Sequence, residues 1–155
     1  FLGLLALAIG LASLPLHTDL SITASEVRKG TDGIPGRGLA ASNITAGAAL
    51  YRLADDTIGL CDADLTLISS TCIGIAVHGC LTGQAIEWQN GGSITLGTTA
   101  ALTVGETYFT SDTAGLIRPA ADIDSGDWIT FLGVGVSAGV LKMPSTGVFN
   151  SLIQK

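Results

Sequence analysis

Two patterns of hydrophobic and polar positions divide the chain. Residues 1–16, which we call the leader, form an apolar run in which Ser13 carries the only polar side chain. On a helix, the large side chains of the leader would cover nearly the whole circumference, so every side of it would need burial. From about residue 43 onward, short β-branched runs alternate with Gly, Asp, Asn and Thr, which predicts strands joined by tight turns.

These patterns define three regions. Residues 1–42 are predicted to be the apolar segment followed by an extended arm or linker, because residues 30–42 are rich in glycine and lack a strand pattern. Residues 43–143 are predicted to form one β-domain, and residues 144–155 a mostly polar C-terminal tail. Residues 21–27 have an extended pattern, which makes them a candidate to add a strand to the sheet edge of a neighbouring chain.

The β-domain contains an internal repeat of a hairpin, a spacer and a strand. The first copy covers residues 45–79 and the second covers residues 103–139, and we expect Tyr51 and Tyr108 to occupy equivalent strand positions. Between the copies, residues 84–97 predict a further hairpin with an Asn-Gly turn. About seven or more short strands of this kind predict a mainly β fold, either a small barrel or a sandwich.

The leader is the strongest candidate for an assembly contact. It is shorter than the roughly 20 apolar residues that cross a bilayer, and Pro15 interrupts it, so we expect no complete transmembrane helix. A signal peptide would begin with a basic segment, which this run does not have. The leader is helical or extended, and a bundle of copies or a groove on a larger partner would bury it. The predicted assembly contacts are Phe1, Leu2, Leu4, Leu5, Leu7, Ile9, Leu11, Leu14, Leu16, Ile22 and Val27.

Charge and composition exclude several classes of function. The chain has 7 Lys and Arg against 13 Asp and Glu, a net charge of −6, which provides no electrostatic basis for binding nucleic acid. With 21 glycines and 5% aromatic residues, the chain favours tight turns over a pocket walled by rings. Cys61, Cys72 and Cys80 lack the paired spacing of a zinc site. We expect free buried thiols in a reducing compartment, with a Cys72–Cys80 pair as the alternative.

No catalytic constellation emerges from the motifs. The two histidines, His17 and His78, lack a nucleophile motif such as GxSxG. The acids of residues 122–127 resemble the start of a calcium loop, but Gly133 stands where the final glutamate would be, so a solvated turn is expected. The acids of residues 55–64 are expected to be turn residues as well. Residues 30–38 lack the Lys-Ser/Thr ending of a phosphate-binding loop. We predict no enzyme, cofactor or metal site; a virion-borne hydrolase using His78 is the weakest alternative.

A series of short motifs in consistent order resembles the small β-domains of tailed-bacteriophage virion proteins, which include head decoration (cement) proteins and related capsid and tail-fibre modules. The motifs are ITAGAALY (44–51), GIAV (74–77), GQA (83–85), GSITLG (92–97), VGETY (104–108), SDTAG (111–115) and GDWITFLGV (126–134).

The resemblance implies a β-barrel or β-tulip-like unit that is commonly trimeric. Such a protein is made in the host cytoplasm, binds the major capsid protein on the outside of the assembled virion and stabilises the shell. Two alternatives stay open: a capsid- or tail-fibre domain, and a membrane-associated protein anchored by residues 1–16. A membrane partner is not the expected outcome.

Overall fold

The computed structural model describes residues 18–145 and the backbone of residues 153–154. The strands are β1 (Arg28–Lys29), β2 (Ile34–Leu39), β3 (Ala49–Arg52), β4 (Ile58–Leu60), β5 (Gly74–Ala76), β6 (Ala85–Asn90), β7 (Gly92–Thr95), β8 (Thr107–Thr110), β9 (Ile117–Pro119), β10 (Trp128–Ile129), β11 (Phe131–Ser137), β12 (Val140–Met143) and β13 (Ile153–Gln154). One short helix, α1 (Leu67–Ser70), follows β4, and single 3-10 turns occur at Ala24–Glu26, Thr98–Ala100 and Ala120–Asp122.

Two antiparallel sheets form a β-sandwich-like domain. Sheet A has six strands in the order β1-β7-β12-β11-β8-β9, and sheet B has five in the order β2-β6-β5-β3-β4. β10 and β13 make a separate two-stranded pair. The predicted mainly β class is thus confirmed in its sandwich form, and the strands of the described residues do not close into a barrel.

Each copy of the internal repeat supplies three adjoining strands to one sheet: β5-β3-β4 in sheet B and β11-β8-β9 in sheet A. The turn that opens each copy is closed by the same 3.2 Å backbone hydrogen bond, from Ala48 to Thr45 in the first copy and from Glu106 to Thr103 in the second. The third residue of each turn is a glycine with φ of +90° and +84°, a backbone angle that favours glycine. The two copies therefore begin with the same turn chemistry.

The strand register shows which positions of the two copies are equivalent. Leu50 pairs with Gly74 in sheet B, and Tyr108 pairs with Gly133 in sheet A. Leu50 is therefore the counterpart of Tyr108, which makes Tyr51 the counterpart of the next residue, Phe109. The predicted equivalence of Tyr51 and Tyr108 is therefore wrong by one position. Because side chains alternate between the two faces of a strand, the two tyrosines lie on non-equivalent faces of their sheets.

Sheet B is apolar on both faces, because its strands alternate between two core clusters. Ala49 and Ile75 belong to the large cluster that fills the space between the sheets. Leu50, Ala76 and Trp88 belong to a second cluster on the opposite face of sheet B. All five are almost fully buried, so side chains on both faces of sheet B are buried.

Strand β2 overturns the prediction that residues 30–42 are an irregular loop. β2 pairs with β6 at every position from Ile34–Asn90 to Leu39–Ala85. A Cβ atom on Gly36 would lie 2.2 Å from Cε2 of Trp88, so only glycine lets this strand lie against the indole ring. The glycines that suggested a loop are here the condition for close packing.

The predicted hairpin over residues 84–97 is also wrong. β6 lies in sheet B and β7 in sheet A, so Asn90 and the two glycines after it carry the chain from one sheet to the other. Gly91 and Gly92 have φ of +74° and +71°, which makes the sharp corner possible. Gln89 stabilises this corner, because its side-chain nitrogen donates to the carbonyl oxygens of Gly91 and Ser93, each at 2.9 Å.

We predict that Gly36→Val destabilises the protein by about 2–3 kcal/mol, because its side chain would overlap the ring of Trp88. Urea unfolding followed by tryptophan fluorescence measures this loss. Gly83→Ala is the control: no atom lies within 4 Å of its Cβ position and φ is +80°, so only about 1 kcal/mol of backbone strain is expected. Equal losses in the two variants would contradict the packing of β2 on Trp88.

Candidate assembly surface

Residues 18–27, which we call the strap, connect the leader to the sandwich. The backbone nitrogen of Leu20 donates to the carbonyl oxygen of Ile117 in β9 at 2.8 Å. The hydroxyls of Thr23 and Thr99 are hydrogen-bonded at 2.8 Å, and the strap then enters β1 at the opposite edge of sheet A. Its own chain therefore already binds the segment that was predicted to pair with a neighbour.

Two predicted assembly contacts lie in the strap. Val27 is 4% exposed and belongs to the large core cluster, and Ile22 is half-buried and packs against that cluster. A Cβ atom on Gly47 would lie 2.6 Å from Cγ2 of Ile22 and 3.3 Å from Cγ2 of Val27, which shows how closely the strap covers this turn. The structure corrects the prediction for Val27, since the core of its own chain buries it. The other predicted contacts lie outside the described residues: Phe1, Leu2, Leu4, Leu5, Leu7, Ile9, Leu11, Leu14 and Leu16.

A buried arginine lies where the strap meets sheet A. The side chain of Arg118 in β9 is 1% exposed. Its Nη1 donates to the backbone oxygen of Asp122 at 2.7 Å, and its Nη2 donates to Oγ of Ser111 at 3.2 Å. The carboxylate of Asp112 pairs with the same guanidinium group. Arg118 therefore organises the loops around the end of β9.

Acids from two other segments also lie near this guanidinium. Oδ2 of Asp127 is 3.4 Å from Nη1 of Arg118 and also accepts the backbone N–H of Asp124 at 3.0 Å. Oδ1 of Asp19, in the strap, is 4.0 Å from Nε of Arg118. Asp127 is only 5% exposed, so the prediction of a solvated turn at residues 122–127 is wrong for Asp127, whereas Ser125 and Gly126 are exposed and the local backbone cap is present. These acids fix both the strap and the loop before β10.

The strap and the C-terminal tail meet at the same end of the sandwich, which we call the terminal pole. The backbone nitrogen of Thr18 donates to Oδ2 of Asp122 at 3.0 Å. β10 begins directly after Asp127, and its Trp128 pairs with Gln154 of β13. The leader therefore enters the described domain close to the point where the tail returns to it.

The apolar face of sheet A that points away from the core starts at this pole. Tyr108 faces the core, so its neighbour Phe109 points outward. The rings of Phe109 and Phe131 meet edge to face, with centroids 5.7 Å apart. Val134 is half-buried, and Val136 is 48% exposed. We call Phe109, Phe131, Val134 and Val136 the outer strip.

The buried acid Asp62 has a strongly perturbed proton affinity. It is 8% exposed, and its Oδ1 accepts the backbone N–H of Asp64 at 3.2 Å. Burial, and then the nearby carboxyls of Asp64 and Asp112, raise the pKa of Asp62 from 3.8 to about 6. Asp62 is therefore ionised at neutral pH at a cost to stability.

Among the described residues, no hydrogen bond joins His78 to a candidate nucleophile, and His17 lies outside the described residues. His78 is exposed, and its Nε2 accepts the backbone N–H of Glu87 at 3.2 Å. All three cysteines are free; Cys61 and Cys72 are buried, and Cys80 is half-buried. Burial raises the pKa of the Cys61 thiol well above its usual value, and Cys72 beside it adds to this effect.

The described residues provide neither a metal-binding cluster nor a membrane-spanning helix. Residues 18–145 hold no group of three or more His, Cys, Asp or Glu side chains placed to bind a metal ion. Among the helices of the described residues, none has the length and apolar character to cross a membrane.

We predict that Arg118→Met destabilises the protein by about 3–5 kcal/mol, because it leaves the buried Asp127 and the nearby Asp112 without their counter-charge. Urea unfolding at pH 7 measures the change. Lys142→Met is the control, since the pair of Lys142 with Asp32 at 2.6 Å is solvent-exposed and should contribute little to stability. Similar losses in both variants would show that Arg118 does not hold the terminal pole together.

We predict that Asp62→Asn increases stability at pH 7 and has little effect near pH 4. The folded state binds the proton of Asp62 more tightly than the unfolded state, so this stabilisation is complete below about pH 3.8 and is lost as the pH rises through about 6. Unfolding curves between pH 4 and pH 8 test the sign.

Asp55→Asn is the opposite control. Hydrogen bonds from the hydroxyl and backbone N–H of Thr57 lower the pKa of Asp55, so its stabilisation is present at neutral pH and is lost as the pH falls. A pH-independent effect of Asp62→Asn would contradict the assignment.

Comparison with known proteins assigns no family, because no protein-family model matches the chain and no curated protein matches its sequence.

Proposed function

We propose that this protein is a non-enzymatic structural module that binds the outside of an assembled phage capsid through its leader and stabilises the shell. The observation that carries the proposal is the position of Thr18, the first described residue after the apolar leader. An uncharged apolar segment joins the domain at Thr18, beside Asp19 and the buried Arg118. A fixed attachment point lets the leader transmit force between a rigid domain and the surface that buries it. The partners proposed are the major capsid protein and further copies of the chain, as a homotrimer.

The energetics support an anchoring role for the leader. Burying one leucine or isoleucine side chain contributes about 1.5–3 kcal/mol, and association costs about 4–15 kcal/mol in lost freedom of movement. The leader carries eight Leu or Ile residues, so burying all of them in a groove would contribute about 12–24 kcal/mol, enough to offset that cost. The sandwich itself needs no further partner for its core.

The exposed edge of sheet B supports attachment by the leader rather than by strand addition. The backbone nitrogen of Ala40 donates to Gln84 at 2.9 Å, so alternate residues of β2 bond to β6, and Pro35 and Arg37 point their backbones outward. Proline has no N–H to donate, and a charged side chain disfavours pairing with another strand. The edge is thereby protected from open-ended association.

A capsid- or tail-fibre domain is the alternative within the same structural class. Three leaders could bundle and bury one another's leucines as a short shaft. The membrane-associated alternative uses the same leader with lipid as the partner. Flotation with liposomes tests for a lipid partner. If the full-length protein floats and the chain lacking residues 1–17 does not, the partner of the leader is lipid. If the full-length protein stays at the bottom of the gradient, a protein partner is favoured.

We predict that deletion of residues 1–17 leaves a folded domain that no longer binds capsids. The cut falls before Thr18 because the backbone of Leu20 is bonded to β9. Thermal unfolding should still give one cooperative transition, which shows that the domain is folded, while co-sedimentation with undecorated shells should fall to background.

Leu65→Ser provides the control for this experiment, since Leu65 is 69% exposed near α1 and should leave binding unchanged. Shells bound by the full chain should also resist higher temperature than bare shells. Full occupancy of capsids by the truncated chain would exclude the leader as the anchor.

A further inference from the structure

We propose that the outer strip of sheet A is the docking surface for the leader of the same chain, so that residues 1–16 lie across the outward face of this sheet. This inference goes beyond the proposed function and does not depend on it. It follows from an asymmetry between the two copies of the internal repeat and from the position of the strap.

In the first copy, one face of the sheet is covered. Ala49, Tyr51, Ile75 and Val77 lie in or against the large core cluster, where sheet A packs onto them. This is the face of sheet B that is turned away from its second core cluster. In a layered β protein, such a face is apolar because another layer buries it.

In the second copy, the equivalent face is more open, since Val136 is 48% exposed while Phe109 and Val134 are half-buried. The pairing of Ala49 with Ile75 corresponds to that of Thr107 with Val134, so the counterparts of the covered residues are, in order, Thr107, Phe109, Val134 and Val136. Three of these four positions have kept apolar side chains, and Phe131 joins them through its ring contact with Phe109. An apolar strip on a sheet face indicates that something else covers it.

The described chain begins at the edge strand of the row that holds the two phenylalanines. Phe131 pairs with Phe109 across β11 and β8, and Phe109 pairs with Arg118 across β8 and β9. Paired residues point to the same face of a sheet. The carboxylate of Asp19 lies 4.0 Å from Nε of Arg118, so the chain before Asp19 starts at the β9 end of this row, one strand beyond Phe109.

The length and chemistry of the leader match the strip. Along β11, the six residues from Phe131 to Val136 span about 17 Å, and a helix of the length of the leader would span about 24 Å. The leader has no charged side chain to desolvate. The neighbouring Lys142 is turned toward Asp32, to which its Nζ donates at 2.6 Å, so the ammonium group has its own partner.

Covalent attachment favours the leader over a second copy of the chain. A tethered segment faces the strip at an effective concentration in the millimolar range, whereas a second copy must be gathered from solution. Because the leader is apolar all round, its opposite side would stay available for a partner after docking. The proposed capsid contact and this docking therefore use different sides of one segment.

Cross-linking within the full-length chain tests the proposal. Cys80 is first replaced by Ser, so that the remaining native thiols are the buried Cys61 and Cys72. Ala8→Cys in the leader is then combined with Val134→Cys in the strip, and a short bismaleimide is added to dilute protein. The control pair combines Ala8→Cys with Thr82→Cys, an exposed position before β6. Circular dichroism and thermal unfolding verify that both variants are folded.

We expect the strip pair to give at least about tenfold more cross-link within one chain than the control pair, the ratio for a docking preference of about 1.4 kcal/mol. Equal yields in the two pairs would overturn the proposal, because the leader would then have no preferred position. Cross-links that form only between chains would also overturn it and would assign the strip to a second copy.

A second measurement keeps the test independent of the cysteine variants. Val136→Asp should weaken docking and increase the rate of proteolytic cleavage within the leader by about tenfold at limiting protease, since cleavage follows the population of the open form. Leu65→Asp is the matched control, because Leu65 lies outside the strip and is 69% exposed. Unchanged cleavage in Val136→Asp would contradict docking. Neither measurement involves capsids, so failure here is separate from failure of the proposed function.

Discussion

The buried guanidinium group of Arg118 is the interaction on which the terminal pole depends. Removing an arginine from water is costly unless hydrogen bonds and counter-charges surround it. Here those groups come from the β8–β9 hairpin and the adjoining loop before β10, and Asp19 of the strap adds a counter-charge 4.0 Å from Nε. The start of the described chain is held at the same end of the sandwich by the hydrogen bonds of Thr18 to Asp122 and of Leu20 to Ile117.

The two copies of the repeat stack in the same sense rather than face to face. Sheet B lies between its own second core cluster and sheet A, whereas the equivalent outward face of sheet A carries the outer strip. A stack of this kind has two unlike ends, and one of them stays apolar unless a further layer is added. This difference explains why a mainly β domain with a buried core still presents an apolar strip on sheet A.

The sequence predicted the β class because β-branched runs and turn residues are local signals, and the hairpin and strand of each repeat copy fold as separate local units. It failed where glycine served packing instead of flexibility, as at Gly36 against Trp88, and where Asn90 begins a crossover between sheets. It gave no warning of the buried pair of Arg118 with Asp127. The available signal was an arginine inside the apolar strand Ile117–Pro119, whose partners only the tertiary fold reveals. Val27 was predicted to contact a neighbouring chain, and its burial in the large core cluster likewise depends on the tertiary fold.

We propose that the leader extends from the terminal pole of the sandwich and is buried by the capsid surface. A reconstruction of the virion at side-chain resolution tests this combination most directly. The account predicts the sandwich on the outside of the shell, with residues 1–16 enclosed between sheet A and the major capsid protein. A virion whose outer surface lacks this chain, or one in which the chain is bound with its leader directed into solvent, would contradict it.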